Sequence, residues 1–289
     1  MAGGIRQDGP HQRPRRFRAL SLSRLAPNVA TLMGLCAGLT SIRFAMQDRW
    51  EAAVAAILIA GIIDGLDGRL ARMLNASSRF GAELDSLSDF VCFGVAPAMM
   101  LYFWSLHELG SIGWALSLLF AVCMALRLAR FNTQMLGEPE LPTWAYRFFT
   151  GVPAPAAAAL AMWPIVLTFQ FGRGVFDSPY LVAPYGVLIA ALMVSRMPTY
   201  SFKKVKVPRA WVLPLMLAFG ASVAFLVSSP WLTLSVIAAV YFATFPLSYR
   251  SYRRMGVENQ QEEERADEED DDGEPDDDPD EGLNRVHQN

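Results

Sequence analysis

The sequence predicts an all-α, polytopic membrane helix bundle of about eight transmembrane helices. Three observations predict it. Hydrophobic residues fill 53% of the 289 positions and charged residues only 18%, a balance that favours an integral membrane protein over a soluble domain. Apolar stretches recur at lengths near the ~20 residues that cross a bilayer as a helix. Basic residues gather at alternate connections between those stretches, the pattern that orients membrane helices.

The elements follow in order. Residues 1–13 are expected to be disordered. From Pro14 to Ala26 the chain reads as a short basic amphipathic helix carrying Arg15, Arg16, Phe17, Arg18, Leu20, Leu22, Arg24 and Leu25. It is too short and too charged to span, so it is expected to lie in the membrane interface; a plain basic linker is the alternative. Residues 1–26 thus form an N-terminal unit. Spans are expected at about 28–47, 52–72, 84–105, 111–131, 152–171, 180–197, 210–228 and 231–249, within a transmembrane domain of residues 27–254. The fifth span carries Pro153, Pro155 and Pro164 and is expected to kink or begin irregularly. The last two are joined through Ser228-Ser229-Pro230, which reads as a helical hairpin.

The formal net charge of −3 conceals a segregation. From Met255 onward there are 16 Asp or Glu against two basic residues, leaving 23 basic and 12 acidic residues in the rest. The basic body is the part expected to meet anionic headgroups or phosphates. The acidic tail, residues 255–289, cannot bury a core and is expected to be disordered. Arg69, Arg72 and Arg79 flank one connection, Arg127, Arg130 and Arg147 the next, and Arg196, Lys203, Lys204, Lys206 and Arg209 a third. The opposite connections hold mainly Arg49 and Arg173. Eight spans with both termini in the cytoplasm satisfy this alternation. The N-terminus lacks the apolar core of a secretory signal; its arginines leave a mitochondrial presequence as an alternative, though Pro10 and Pro14 interrupt the basic stretch. The expected location is the inner (cytoplasmic) membrane. Cys36, Cys92 and Cys123 lie in apolar runs without metal-ligand spacing and read as packing residues.

Four carboxylates stand out. Asp64, Asp67, Asp85 and Asp89 fall at or near helix ends inside apolar sequence. An ionised carboxylate at membrane depth costs several kcal/mol unless it is paired or binds a cation, and four together repel one another. Divalent metal resolves both problems, because hard cations take carboxylate oxygens. Asp64 and Asp67 are i and i+3 on one helix; Asp85 and Asp89 are i and i+4 on the next. A short connection makes these helices antiparallel neighbours, so the pairs converge at one end. Two metals sharing such ligands suit displacement at phosphorus. Gly61, Gly65, Gly68, Ala71 and Gly81 lie on or beside this face; small residues either let helices approach or leave room for a ligand. Arg72 is the expected phosphate partner.

The run Asp64-Gly-Leu-Asp67-Gly68-Arg-Leu-Ala71-Arg72, eight residues, then Gly81-Ala-Glu-Leu-Asp85-Ser-Leu-Ser-Asp89 resembles the CDP-alcohol phosphotransferase signature, D-x2-D-G-x2-A-R-x8-G-x3-D-x3-D, at every fixed position. The resemblance implies a membrane enzyme with a six-helix catalytic core, usually a homodimer. It implies Mg²⁺ or Mn²⁺, two ions, held by Asp64, Asp67, Asp85 and Asp89. It implies transfer of a phosphatidyl-type group from a CDP-linked lipid to an alcohol, with release of CMP. Asp89 is then also the candidate catalytic base, and Gly68, Ala71, Arg72 and Gly81 lie on the CDP-lipid side.

Further stretches narrow the resemblance. Arg127-Leu-Ala-Arg130-Phe131-Asn132, the run from Phe149 through Gly151, Pro153 and Pro155, and Pro27-Asn28-Val-Ala-Thr31 are similar to segments of the bacterial and archaeal phosphatidylserine synthases in that family. The implied partners are CDP-diacylglycerol, L-serine and membrane lipids, with no nucleic acid. Arg127, Arg130 and Asn132 become candidates for gripping serine or phosphate, because paired guanidinium groups suit a carboxylate. Glycerol 3-phosphate or inositol phosphate is the alternative acceptor within the family. A divalent-metal transporter is the alternative of a different class; it explains intramembrane aspartates but not the fixed Gly, Ala and Arg positions.

Overall fold

The computed structural model describes residues 22–74, 76, 78–134, 148–195, 198–200 and 209–245. The first two helices, α1 (Leu22–Ala45) and α2 (Trp50–Met73), have 24 residues each. At ~1.5 Å per residue each is ~36 Å long, enough to cross a hydrocarbon core of ~30 Å. They form an antiparallel hairpin and share the most extensive helix–helix contact in the molecule. Asp48 makes the turn between them with φ 55°, and Arg49 stacks its guanidinium 4.8 Å from the Phe44 ring centroid. Small residues allow the close packing. Ala53, Ala56 and Ala60 of α2 are buried, and the face of Gly34 lies against Ile63.

The next helix, α3 (Arg79–Asp89), begins at a polar cap: the Gly81 N–H donates to Ser78 Oγ at 3.0 Å, which satisfies one of the orphan donors of the first turn. It passes without a break through a π-helical turn, Phe90–Val95, into α4 (Ala96–Trp104). Such wide turns are common beside functional residues, and this one starts directly after Asp89. Two glycines bracket it. A Cβ on Gly38 of α1 would lie 2.5 Å from Cys92 Sγ. One on Gly94 would lie 2.9 Å from Met124, on α5 (Ser111–Gln134).

The proline-rich span is broken, as its sequence predicts. It forms α6 (Ala154–Ala161) and α7 (Trp163–Phe171), parted at Met162, with a proline in the first turn of each. Then come α8 (Pro179–Val194), α9 (Arg209–Ser228) and α10 (Pro230–Phe245). A feature absent from the sequence-based expectation is a two-stranded antiparallel ladder. In it β1 (Phe148–Thr150) pairs with β2 (Pro198–Tyr200), Phe149 opposite Thr199. The ladder joins the entry of α6 to the exit of α8.

Four helical runs are long and apolar enough to cross a membrane: Leu25–Ala45, Arg79–Trp104, Ser111–Thr133 and Ala154–Phe171. Pro179–Val194, Val212–Ser228 and Pro230–Phe245 are shorter apolar helices. The molecule is therefore an all-helical bundle, apart from the small ladder, with the helices of an integral membrane protein. α2 has the length of a span but carries Glu51, Asp64, Asp67, Arg69 and Arg72. Phe93, Met100, Phe120, Met124, Ile165 and Ile189 lie in the common core. α10 packs on it through Trp231, 4.7 Å from Phe169 between ring centroids. Every side chain of α9 from Val212 to Ser228 is exposed.

Leu22 to Ala26, expected in a separate interfacial helix, form the first turns of α1, which runs on through Pro27. The rest of that segment and the acidic tail lie outside the described residues.

Candidate active site

The site lies where α2 ends and α3 begins. Asp64 and Asp67 come from the second half of α2; Asp85 and Asp89 come from α3. One carboxylate oxygen each of Asp64, Asp67 and Asp85 lies within 4.8 Å of the others, although α3 packs mainly on α1 and only sparsely on α2. Asp67 is buried, 4% exposed, although it is an acid. Asp89 lies one turn further along α3. Its carboxyl group is in hydrogen-bond contact with that of Asp64, and the Arg127 guanidinium is in electrostatic range of it. The four aspartates thus form one continuous group, with Asp64 shared between the triad and Asp89.

This donor set fits a hard divalent cation. Magnesium and manganese take oxygen ligands in octahedral geometry. Oxygens on one such ion, with bonds of ~2.1 Å, lie at most ~4.2 Å apart. The observed triad is within a small side-chain adjustment of that spacing. Asp64, Asp67 and Asp85 are therefore compatible with a metal site, and a buried acid such as Asp67 needs a positive partner or hydrogen bonds to remain ionised.

A cavity opens beside the triad. Pro27, Asn28, Thr31, Asp67, Gly68, Ala71, Ala76, Ser78, Gly81, Ala82 and Asp85 line it. Its walls explain the glycines at the site separately. A Cβ on Gly68 would meet nothing within 4 Å, so this glycine leaves room in the cavity; Gly65 is equally open but lies outside the lining. A Cβ on Gly81 would fall 2.9 Å from Asn28 Oδ1 and 3.1 Å from Ser78 Oγ. Gly81 is therefore a close-approach glycine, holding the α3 cap against α1.

The basic candidates are placed differently from one another. Arg72 is exposed and turns back on its own helix, donating from Nε to the Gly68 carbonyl at 3.0 Å. Arg127 donates from Nε to the Val152 carbonyl at 2.6 Å while facing Asp89. Arg130 reaches the C-terminal end of α8, donating to the Val194 carbonyl at 3.1 Å and the Ser195 carbonyl at 3.5 Å. Terminal helix carbonyls lack intrahelical partners, so this arginine caps α8. Gly151 sits against the same place with φ 83°, where a Cβ would lie 2.9 Å from the Met193 carbonyl oxygen. Asn132 donates from Nδ2 to Ser86 Oγ at 2.9 Å. Of the three acceptor-side candidates, Arg127 approaches the carboxylates, while Arg130 and Asn132 bind α8 and α3.

Sequence reasoning missed Thr31 as a site residue. Its Oγ1 donates to Asp67 Oδ2 at 2.7 Å, and both residues are buried. The run from Pro27 to Thr31 was visible as a pattern, but its partner is 36 positions away, so no local spacing could disclose the contact. Asn28 and Ser86 were missed for the same reason, since they meet Gly81 and Asn132 on other helices; Ser78 caps Gly81 only three residues on, a local N-cap signal that the sequence did offer.

Comparison with known proteins agrees with this geometry. The sequence profile of the CDP-alcohol phosphatidyltransferase family matches residues 24–197, and that described as CDP-alcohol phosphatidyltransferase 2 matches residues 210–246. The chain is similar to the CDP-diacylglycerol–serine O-phosphatidyltransferase of Mycobacterium tuberculosis, 40% identical over 83% of both chains. It is 36% identical to a protein of the same name from Helicobacter pylori, over 75% of this chain and 87% of the relative. It is 35% identical to that of Bacillus subtilis, over 62% of this chain and 91% of the relative. With its signature aspartates gathered beside an open cavity, the chain belongs to the CDP-alcohol phosphatidyltransferase family.

Proposed function

We propose that this protein transfers the phosphatidyl group of CDP-diacylglycerol to L-serine, forming phosphatidylserine and CMP. The observation that carries the reading is the convergence of Asp64, Asp67 and Asp85 at a cavity kept open by Gly68. The serine synthases among the relatives supply the acceptor, since their names specify serine and the likeness covers most of the chain.

The residues take the following roles. Asp64, Asp67, Asp85 and Asp89 hold Mg²⁺ or Mn²⁺, two ions. Metal bound there supplies Lewis-acid neutralisation of the pyrophosphate charge as it moves onto departing CMP. Gly68 and Ala71 leave the space in which the cytidine–diphosphate group lies, Gly81 positions the cap of α3 beside it, and Arg72 turns from the Gly68 carbonyl to phosphate. Asp89 takes the proton from the serine hydroxyl. The serine oxygen attacks the phosphorus nearest the lipid, and the bond from that phosphorus to the CMP oxygen breaks. A serine hydroxyl is a weak nucleophile, so a positioned base contributes on the order of 10²–10⁴ in rate. Arg127 holds the serine carboxylate or a phosphate oxygen with the guanidinium nitrogens not bonded to Val152. Arg130 and Asn132 act at one remove, bracing α8 and α3 beside Arg127.

The membrane arrangement is part of the proposal. Eight spans enclose a six-helix core, with both termini and the site on the cytoplasmic side of the cytoplasmic membrane. The catalytic domain begins with α1 at Leu22 and runs to residue 254, the residues before it form a short N-terminal unit and 255–289 the tail, and two copies pair as a homodimer. The alternating basic connections support this orientation, and the outward apolar residues of α1, α5 and α9 suit lipid contact.

The test is CMP release by the purified protein from CDP-diacylglycerol, with L-serine, glycerol 3-phosphate and inositol phosphate compared as acceptors. Release with serine alone is expected. Release with glycerol 3-phosphate and not serine would transfer the protein to another branch of the family.

A further inference from the structure

We infer that Thr31 is a positioning residue for the metal site: its hydroxyl fixes one oxygen of Asp67, so that the other is presented to the ion. The inference rests on the metal reading of the aspartates and goes beyond it by adding a third helix to the site. The signature aspartates all come from α2 and α3. Thr31 comes from α1, the helix that packs most extensively on α2.

The hydrogen bond is well placed to matter. Thr31 is 6% exposed and Asp67 4%, so water does not compete strongly for either group. Thr31 Oγ1 lies 2.7 Å from Asp67 Oδ2 and 3.1 Å from the Pro27 carbonyl oxygen. A hydroxyl has one proton to donate. The shorter contact and the charged acceptor direct it to Asp67. Among the described residues, Thr31 carries the one hydroxyl bonded to any of the four aspartates. Its backbone is held as well: the Thr31 carbonyl accepts from Ser88 Oγ at 3.4 Å, one residue before Asp89. Thr31 therefore ties α1 to α2 through its side chain and to α3 through its carbonyl.

A carboxylate that keeps one oxygen in a protein hydrogen bond presents the other in a fixed direction. Partners of metal ligands orient them in this way, and losing one typically costs ~10–100-fold in metal affinity or activity. Thr31 also lines the cavity, which gives a competing role, direct contact with the CDP-lipid. The two roles separate experimentally.

The experiment is a Mn²⁺ titration of the detergent-purified protein, without substrate, following loss of the free-ion electron paramagnetic resonance signal. Wild type, Thr31→Val, Thr31→Ser and Asp67→Asn are compared, each with its thermal unfolding midpoint. Thr31→Val keeps the shape and loses the hydroxyl; Thr31→Ser keeps the hydroxyl. The expected result is Mn²⁺ affinity ~10–100-fold weaker in Thr31→Val and near wild type in Thr31→Ser. Wild-type affinity in Thr31→Val, with a raised KM for CDP-diacylglycerol, overturns the inference in favour of substrate contact. Equal losses in Thr31→Ser and Thr31→Val overturn it in favour of packing; if the valine variant does not fold, Thr31→Ser decides alone, wild-type affinity upholding the inference and weakened affinity at an unchanged unfolding midpoint overturning it. Wild-type affinity in Asp67→Asn removes the metal reading itself, and this inference with it.

Discussion

Replacing Gly68 by alanine should raise stability and lower activity together. Gly68 lies inside α2, is exposed, and a Cβ there would meet no atom within 4 Å. The methyl group therefore fits the protein without any shift. Glycine within a helix costs ~0.5–1 kcal/mol relative to alanine, because it loses more backbone freedom on folding. Gly68→Ala should gain about that amount, read as a higher midpoint of thermal unfolding in detergent. The same methyl projects into the space beside Asp67 that the CDP-diphosphate group is proposed to fill. A displacement of reacting groups by about 1 Å can cost ~10²-fold in rate. CMP release at saturating serine should therefore fall by ~10–100-fold. A destabilised variant would refute the reading of Gly68 as a glycine that leaves room. A stabilised variant with undiminished CMP release would refute the placement of the donor against this wall.

Other perturbations give different signatures. Asp89→Asn should abolish transfer while leaving Mn²⁺ binding by the triad measurable and the fold intact; normal turnover would remove Asp89 as the base. Stripping divalent ions with a chelator should stop CMP release, and adding back Mg²⁺ or Mn²⁺ should restore it; turnover that persists after chelation would contradict the role given to the aspartates. Gly38→Ala places a Cβ 2.5 Å from Cys92 Sγ and should destabilise the protein by ~1–3 kcal/mol through overpacking of α1 against the π-turn. Pairing it with Cys92→Ala should recover much of that loss in thermal unfolding.

The aspartates were legible in the sequence because helical periodicity is local. Asp64 with Asp67, and Asp85 with Asp89, share faces by spacing alone; the expected packing of their helices as neighbours is replaced by α3 lying mainly on α1. That the fifth span would kink or begin irregularly was legible for a similar reason, since its prolines cannot donate to the preceding turn; the place of the break, Met162, was not. The contacts that refine the site were not legible, because each joins distant positions. Thr31 meets Asp67 across 36 residues and Asn132 meets Ser86 across 46. Arg130 reads in the sequence as a site arginine, yet its guanidinium caps α8, 64 residues away. The same holds for Gly81, whose need for a bare Cα arises from Asn28 on another helix. The π-turn after Asp89 has no residue signature and shows only in the way Gly38 and Gly94 admit their neighbours. The β1–β2 ladder is three residues long on each side, too short for a periodic pattern to announce it.

The central claim is phosphatidyl transfer to serine at the aspartate site. Its most direct measurement is the lipid product formed by purified protein from CDP-diacylglycerol and isotopically labelled L-serine with Mn²⁺, compared with Asp67→Asn. The account predicts labelled phosphatidylserine and CMP in equal amounts from wild type and neither from the variant. CMP without labelled lipid, or equal product from the variant, would contradict it.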